Sequence, residues 1–362
     1  MRQACLVPLF VLAGCGDDAG PAAEKRSFFL SADEIRWDYA PSGMNLITGA
    51  AFDDVANVFM ANGPNRIGHV NVKAVFRGYA DANFTEPLPV DPEWQHLGTM
   101  GPVIRANVGD TVDVTLRNNT QFPRSLHAHG LRYKKDSEGA PYEDGTDQHE
   151  DDTIPPGGTV TYHYTVPEDS GPGPDDPSSI AWMYHSHVDE VADVAAGLMG
   201  PIIVTRRDQA NQDATPIDVD REFVTLFQIM DENKSQYLKE NIDTFAGDPG
   251  SVDVDDEDFQ ESNLKHSING YVYGNLPGLA MQAGERVRWY AMDMGTETDL
   301  HTPHWHGETV LVMGQRTDVI ALLPATMMVA DMTADNPGTW LFHCHVDDHI
   351  IAGMLALYTI AP

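Results

Sequence analysis

Apolar and polar residues alternate along several short stretches of this chain. Thr111–Leu116 reads Thr-Val-Asp-Val-Thr-Leu, Thr159–Val166 alternates in the same way, and Val287–Ala291 is rich in β-branched and aromatic residues. A two-residue period places every second side chain on one face, the mark of a half-buried β-strand. Gly and Pro punctuate these stretches, and no long segment carries a convincing helical period.

The pattern occurs twice. The first copy runs from Gly109-Asp-Thr-Val-Asp-Val-Thr-Leu116 through His127-Ala-His129-Gly130 and Pro155-Pro-Gly-Gly-Thr159 to Trp182-Met-Tyr-His-Ser-His187. The second runs from Gly284-Glu-Arg-Val-Arg-Trp-Tyr290 through His304-Trp-His306-Gly307 and Asn336-Pro-Gly-Thr-Trp340 to His343-Cys-His345. The prediction is an all-β chain of two tandem β-sandwich domains, 27–205 and 206–362, with the boundary in the polar stretch Thr205–Asp220. Segments 136–157, 168–179 and 246–261, rich in Asp, Glu, Gly and Pro, read as surface loops.

The 362 residues suffice for two buried cores. A formal charge of −33 excludes nucleic acid as a natural partner and suits small cations, or simple solubility outside the cell. Cysteine is sparse: Cys5, Cys15 and Cys344. Residues 1–15 read as a signal peptide, with Arg2, a short apolar run from Leu6 to Ala13, and Leu12-Ala-Gly-Cys15, which resembles a bacterial lipobox. Cleavage there would leave Cys15 lipidated, residues 16–26 as a tether, and the protein in the bacterial cell envelope, touching membrane only through its anchor. No later segment is apolar for long enough to span a bilayer.

The candidate chemistry lies in the histidines. Four His-x-His pairs (127/129, 185/187, 304/306 and 343/345) bring eight imidazoles of the fifteen in the chain, four from each repeat. Side chains two apart on a strand share a face, so the pairs read as parts of one multinuclear copper site. In the last pair Cys344 points the other way. With His301, His349 and the thioether of Met354 it makes the ligand set of a mononuclear blue-copper site. The first repeat lacks that second site, because Arg124, Ser186 and Val191 stand where the second has His301, Cys344 and His349. Simple electron carriers have no use for the eight further imidazoles, and a copper nitrite reductase needs fewer.

These motifs identify the chain as resembling the multicopper oxidases, most closely the ceruloplasmin and hephaestin branch and the bacterial two-domain type. Further likeness lies in Trp37-Asp-Tyr-Ala-Pro-Ser-Gly43, Gly171-Pro-Gly-Pro-Asp-Asp-Pro177, Glu257-Asp-Phe-Gln-Glu-Ser-Asn263 and Ser267-Ile-Asn-Gly270. The resemblance implies cupredoxin-like Greek-key sandwiches and four coppers per chain. His127 and His304 would hold the type 2 copper. His129, His185, His187, His306, His343 and His345 would hold the type 3 pair. It also implies a homotrimer whose clusters close between the first domain of one chain and the second of the next. Fe(II) is the implied reductant, O2 the oxidant and water the product, with Glu261, His266, Asp348 and Glu297 as the iron site. Calcium is implied at Lys135, Gln148, Asp151 and Asp152. Asp189 and Asp347, each two residues past a ligand, are candidate proton donors. Two alternatives stay open. One is a laccase-like phenol or cuprous oxidase, the latter suggested by Met327, Met328 and Met332. The other is a non-enzymatic copper-binding or electron-transfer protein of the envelope.

Overall fold

The computed structural model describes residues 20–296 and 298–362. Cys5, Cys15 and the lipobox lie outside the described residues, as does Glu297. The described residues are mostly β, in four sheets joined by loops and short helices. The first has strands Val70–Tyr79, Lys25–Asp38, Thr111–Asn118 and Thr159–Thr165 in that spatial order, and the second has Ile104–Asn107, Met199–Thr205, Ser179–His185 and His127–Ala128. The third runs Leu264–Ile268, Arg221–Asp231, Arg286–Asp293, Met327–Thr333, Val310–Val312 and Gln315–Thr317. The fourth runs Ala280–Gln282, Leu355–Ala361, Gly338–Cys344 and Pro303–Trp305. No described sheet mixes strands from before Thr205 with strands from after Arg221.

The alternation seen in sequence is the burial pattern. In Thr111–Asn118 the even positions Val112, Val114 and Leu116 are fully buried and the odd ones lie toward solvent. Among the described residues three large packed clusters result, with a small fourth around Ile67, Ile242 and Phe259. One fills the first pair of sheets, around Leu116, Ile202 and Tyr162. A second fills the other pair, around Trp289, Trp305 and Phe342, and includes Cys344 and Met354. The third joins Met183, Val194 and Ile203 of the first unit to Val224, Tyr273 and Tyr290 of the second. Polar bridges cross the same junction. Arg288 donates to Ser178 Oγ at 2.6 Å and Ser179 Oγ at 2.7 Å, and Arg105 pairs with Glu222 at 2.7 Å. Each fully buried aliphatic side chain contributes about 1.5–3 kcal/mol, so the third cluster fixes how the two units sit together.

Local structure departs from the expectations in two places. The N-terminal strand begins at Lys25, inside the stretch read as a tether, because Lys25 and Arg26 pair with Thr111 and Val112 and Arg26 binds the buried Asp110 at 2.6 Å. The acidic segment 246–261 is not wholly loop. Asp256 caps a helix, Glu257–Ser262, by accepting from Phe259 N at 2.9 Å, and Phe259 is buried on its inner side.

The first repeat's counterpart of the blue-copper position is filled by a salt bridge. Arg124, where the second repeat has His301, is fully buried and pairs with the equally buried Asp193. Asp193 also accepts from Ser186 Oγ at 2.6 Å, and Arg124 donates to Gln236 Oε1 at 2.7 Å and Tyr237 OH at 3.2 Å. A guanidinium thus occupies the place of a metal cation, and Ser186 binds a carboxylate in place of a metal. Removing one partner leaves a buried, uncompensated charge. Arg124→Ala is therefore expected to lower unfolding free energy by about 3–5 kcal/mol, and Arg124→Met with Asp193→Leu to recover most of it, as read from urea denaturation midpoints. A loss below about 1 kcal/mol in the single variant would show that the pair is not a structural plug.

Candidate metal centre

Both histidine sets are built on the same local frame. His127 stands opposite His185 across one antiparallel pair, and His304 opposite His343 across another. The glycine that follows each first pair has a steric reason. Gly130 and Gly307 have φ of +72° and +76°, and an added Cβ would come within 2.1 Å of Trp182 and 2.7 Å of Trp340. Each indole is itself anchored, Trp182 Nε1 donating to Ser170 O and Trp340 Nε1 to Asn336 O, both at 2.9 Å. Only glycine lets the chain turn there while the tryptophan packs beneath the histidines.

In the first set the ring centroids of His127, His129, His185 and His187 lie 5.2–5.6 Å from their neighbours in the set. The Nε2 atoms of His129 and His185 approach to 3.1 Å. His127 Nδ1 donates to Glu138 O at 2.8 Å and His185 Nδ1 to Ser186 O at 3.1 Å. A carbonyl only accepts, so the proton of each neutral ring sits on Nδ1 and the lone pair on Nε2. Burial keeps these rings neutral, lowering His129 to about 4 and His185 to about 3. His187 Nε2 reaches Glu190 at 3.4 Å.

The second set repeats the scheme. His343 Nδ1 donates to Cys344 O at 2.6 Å, which turns its Nε2 toward His306 Nε2 at 3.0 Å and His304 Nδ1 at 3.3 Å. His304, His306 and His343 gather their ligand atoms within 4.8 Å. His345 stands beside them, with ring centroids 5.3 Å from His304 and 5.5 Å from His343. Lone pairs this close repel unless a cation or proton lies between them, so both sets suit a metal. Among the described residues every ring contact between two of these eight histidines stays within its own set.

On the opposite face of strand Gly338–Cys344, the thiol of Cys344 points into the core. His301 Nδ1 is 3.8 Å from its sulfur, His349 Nδ1 is 3.5 Å from it, and the two nitrogens are 3.1 Å apart. Thr302 N donates to the sulfur at 3.4 Å. Met354 is fully buried in the same cluster, and its carbonyl accepts from Cys344 N at 3.2 Å. Burial alone would raise the thiol, but its bonds with His301, His349 and the Thr302 amide bring it down to about 6. A thiolate with two imidazoles is a soft donor set suited to copper.

The other predicted residues are arranged more loosely. His266 is buried and its ring lies 5.2 Å from that of His349, while Glu261 and Asp348 are exposed on the helices Glu257–Ser262 and Asp347–Ile351. Burial lowers His266 to about 4. At the calcium loop, Asp151 Oδ1 is buried without a partner, and burial raises this carboxyl. Asp152 holds His149 Nδ1 at 2.7 Å, Gln148 is exposed, and the Lys135 ammonium pairs with Glu138. Asp189 caps the helix Glu190–Ala196. Asp293 and Asp299, behind His301, were not anticipated. Their only signal was acidity near a ligand, which is common in so acidic a chain.

Known proteins resemble this chain along most of its length. Two family models described as multicopper oxidase match residues 98–209 and 244–362. The chain is 43% identical to human ferroxidase HEPHL1 over 97% of its length, 44% to human hephaestin over 92% and 40% to human ceruloplasmin over 93%. It spans about 30% of the length of these relatives. A solved multicopper oxidase shares the fold with a TM-score of 0.58, 17% identity and coverage of 93% of this chain and 89% of that one. The blue copper oxidase of Nitrosomonas europaea does so with a TM-score of 0.55, 20% identity and coverage of 93% and 86%. With two matched repeats, two histidine sets and one buried thiolate site, this chain belongs to the multicopper oxidase family.

Proposed function

We propose that this oxidase takes its electrons from Fe(II), and that its blue-copper ligands are His301, Cys344, His349 and Met354. The observation that carries the iron reading is the contact of His266 with the ligand His349. Glu261 lies on the helix just before the strand of His266, and Asp348 adjoins His349 in sequence. Carboxylate oxygens suit Fe(II) and prefer the harder Fe(III), which favours electron loss. Exposed Glu261 and Asp348 can receive a hydrated cation, and the negative chain attracts it. Likeness to ferroxidase HEPHL1, hephaestin and ceruloplasmin supports the same choice.

Copper bound in these sites supplies one-electron oxidation of the substrate and four-electron reduction of O2 to water. The protein's part is to hold and connect. Cys344 and His343 are adjacent, about 3.3 Å of rise apart on a strand. The bond from His343 Nδ1 to Cys344 O closes a second short path between the two sites. On the family pattern His127 and His304 hold the type 2 ion and His129, His185, His187, His306, His343 and His345 the type 3 pair, four coppers per chain in all. Asp151 and Asp152, with Gln148 and the Lys135 carbonyl, would hold calcium, to which the unpartnered Asp151 oxygen would bind. Cys15 carries the lipid anchor that keeps the protein in the envelope.

Each chain holds two half-sets of imidazoles that do not meet, and this supports a ring of three chains in which each first unit faces the next chain's second unit. Exposed Leu311 and Met313 follow His306 closely, and exposed Tyr142 lies beside Glu138, which binds His127. Apolar groups beside half-built polar sites suit a buried interface.

Three measurements test this reading. Glu261→Ala with His266→Ala should lower kcat/KM for Fe(II) by roughly tenfold or more, about 1.4 kcal/mol of transition-state stabilisation, while a phenol substrate is little affected. Equal loss of both would count against the iron site. Cys344→Ser should abolish the blue absorption and O2 uptake, and retained turnover would refute the relay through Cys344. Finally, His129→Ala/His185→Ala chains co-expressed with His304→Ala/His306→Ala chains should regain O2 uptake that neither has alone. A mixture as inactive as its parts would rule out sites shared between chains.

A further inference from the structure

The two imidazoles of the blue site differ in what stands behind them. The ring of His349 faces His266. His301 turns its Nε2 instead to Asp299 Oδ1 at 3.2 Å, with Asp293 Oδ1 at 3.8 Å. We propose that Asp299 is a positioning residue of the metal centre: its carboxylate accepts the Nε2–H of His301 and so aims the Nδ1 lone pair at Cys344 and His349. This rests on the reading of His301, Cys344 and His349 as one ligand set.

Four observations support the assignment. Asp299 and His301 are each only 1% exposed, so water does not compete for the bond. Asp299 is held from two sides, accepting from Ile229 N at 2.7 Å and from Thr296 N at 2.9 Å. The carboxylate is therefore a fixed point to which the imidazole is referred. Asp293 is fully buried with both oxygens lacking partners, and its ligand atom clusters with those of Asp299 and His301. Its nearer oxygen stands 3.8 Å from His301 Nε2, beyond hydrogen-bond reach, so Asp299 is the sole hydrogen-bonded acceptor for that nitrogen among the described residues. The fourth is an internal control. In the first repeat Arg124 replaces the ligand, and the position two residues before it is Phe122. Counting from the glycines Gly109 and Gly284 that open the repeats, Asn118 stands where the second has Asp293. The carboxylates occur only in the repeat that carries the ligand histidine.

A carboxylate bonded to a ligand imidazole fixes its tautomer and makes its other nitrogen a stronger donor. That favours Cu(II) over Cu(I) and lowers the reduction potential of the blue site. The pair also ties the ligand to strand Arg221–Asp231 through Ile229, the strand that packs against the first unit in the third core.

The test uses the full-length, copper-loaded protein. Asp299→Asn keeps the size and one acceptor oxygen but loses the charge, so His301 Nε2 and Ile229 N share a weaker neutral acceptor at Oδ1 and the amide N–H faces Thr296 N. Cu(II) affinity at the blue site should fall by about 10- to 100-fold. A tenfold loss borne by Cu(II) alone raises the potential by about 59 mV. Asp293→Asn, which breaks no hydrogen bond, should shift it much less. In the fully reduced wild-type protein, which is diamagnetic, NMR should show a slowly exchanging His301 Nε2–H that exchanges faster in Asp299→Asn. This wild-type signal decides the matter even if the variant fails to fold. An unchanged potential in Asp299→Asn, or a His301 without a protonated Nε2 in the reduced wild type, overturns the assignment while leaving the ligand set intact. A wild-type protein that takes up copper without blue absorption overturns the ligand set and this assignment together.

Discussion

The two-residue period of strand Gly338–Cys344 is the constraint from which the metal chemistry follows. Because neighbours on a strand face opposite ways, Cys344 enters the apolar core while His343 turns to the other face of the sheet. One segment thereby reaches two environments of different character. The core side is dry and suits a thiolate held by two imidazoles and a backbone amide. The other side is polar and partly open. A one-residue slip of register would exchange the two faces and destroy both sites, and pairing with Leu355–Ala361 on one side and Pro303–Trp305 on the other prevents it.

The two repeats show how one frame is put to different uses. Both keep the glycine over tryptophan, the facing histidines and the Nδ1-to-carbonyl bond that aims Nε2 outward. They differ inside the sandwich. Where the second repeat gathers sulfur and nitrogen ligands, the first seals the same space with Arg124 and Asp193. An empty, polar-lined pocket in a core is costly, and a buried ion pair satisfied by Ser186, Gln236 and Tyr237 is one way to fill it. The second repeat adds the carboxylates behind His301, which have no counterpart in the first.

The third core, between the sandwiches, sets the level of assembly at which a complete multinuclear site can form. Met183, Val194 and Ile203 against Val224, Tyr273 and Tyr290 lock the units side by side. In that arrangement the imidazoles of the two sets make no contact within the chain. The proposed ring of chains would bring a first set and a second set together across an interface.

The sequence by itself determined the fold class, the repeat and the inventory of candidate ligands. Alternation reports burial directly, and a His-Cys-His triplet on a strand has only one way to divide its side chains. Local spacing therefore sufficed for Cys344, His343 and His345, and the comparison of repeats showed that Arg124 stands in a ligand's place. Tertiary structure alone decided the rest. That Arg124 meets Asp193, 69 residues away in the chain, depends on how a helix folds back over a sheet. That Asp299 rather than any other of the 55 acidic residues serves His301 depends on strand Arg221–Asp231 presenting the Ile229 amide to it. Such contacts join residues with no common period or motif. They arise from packing between elements, and packing is not written in the spacing of any one of them.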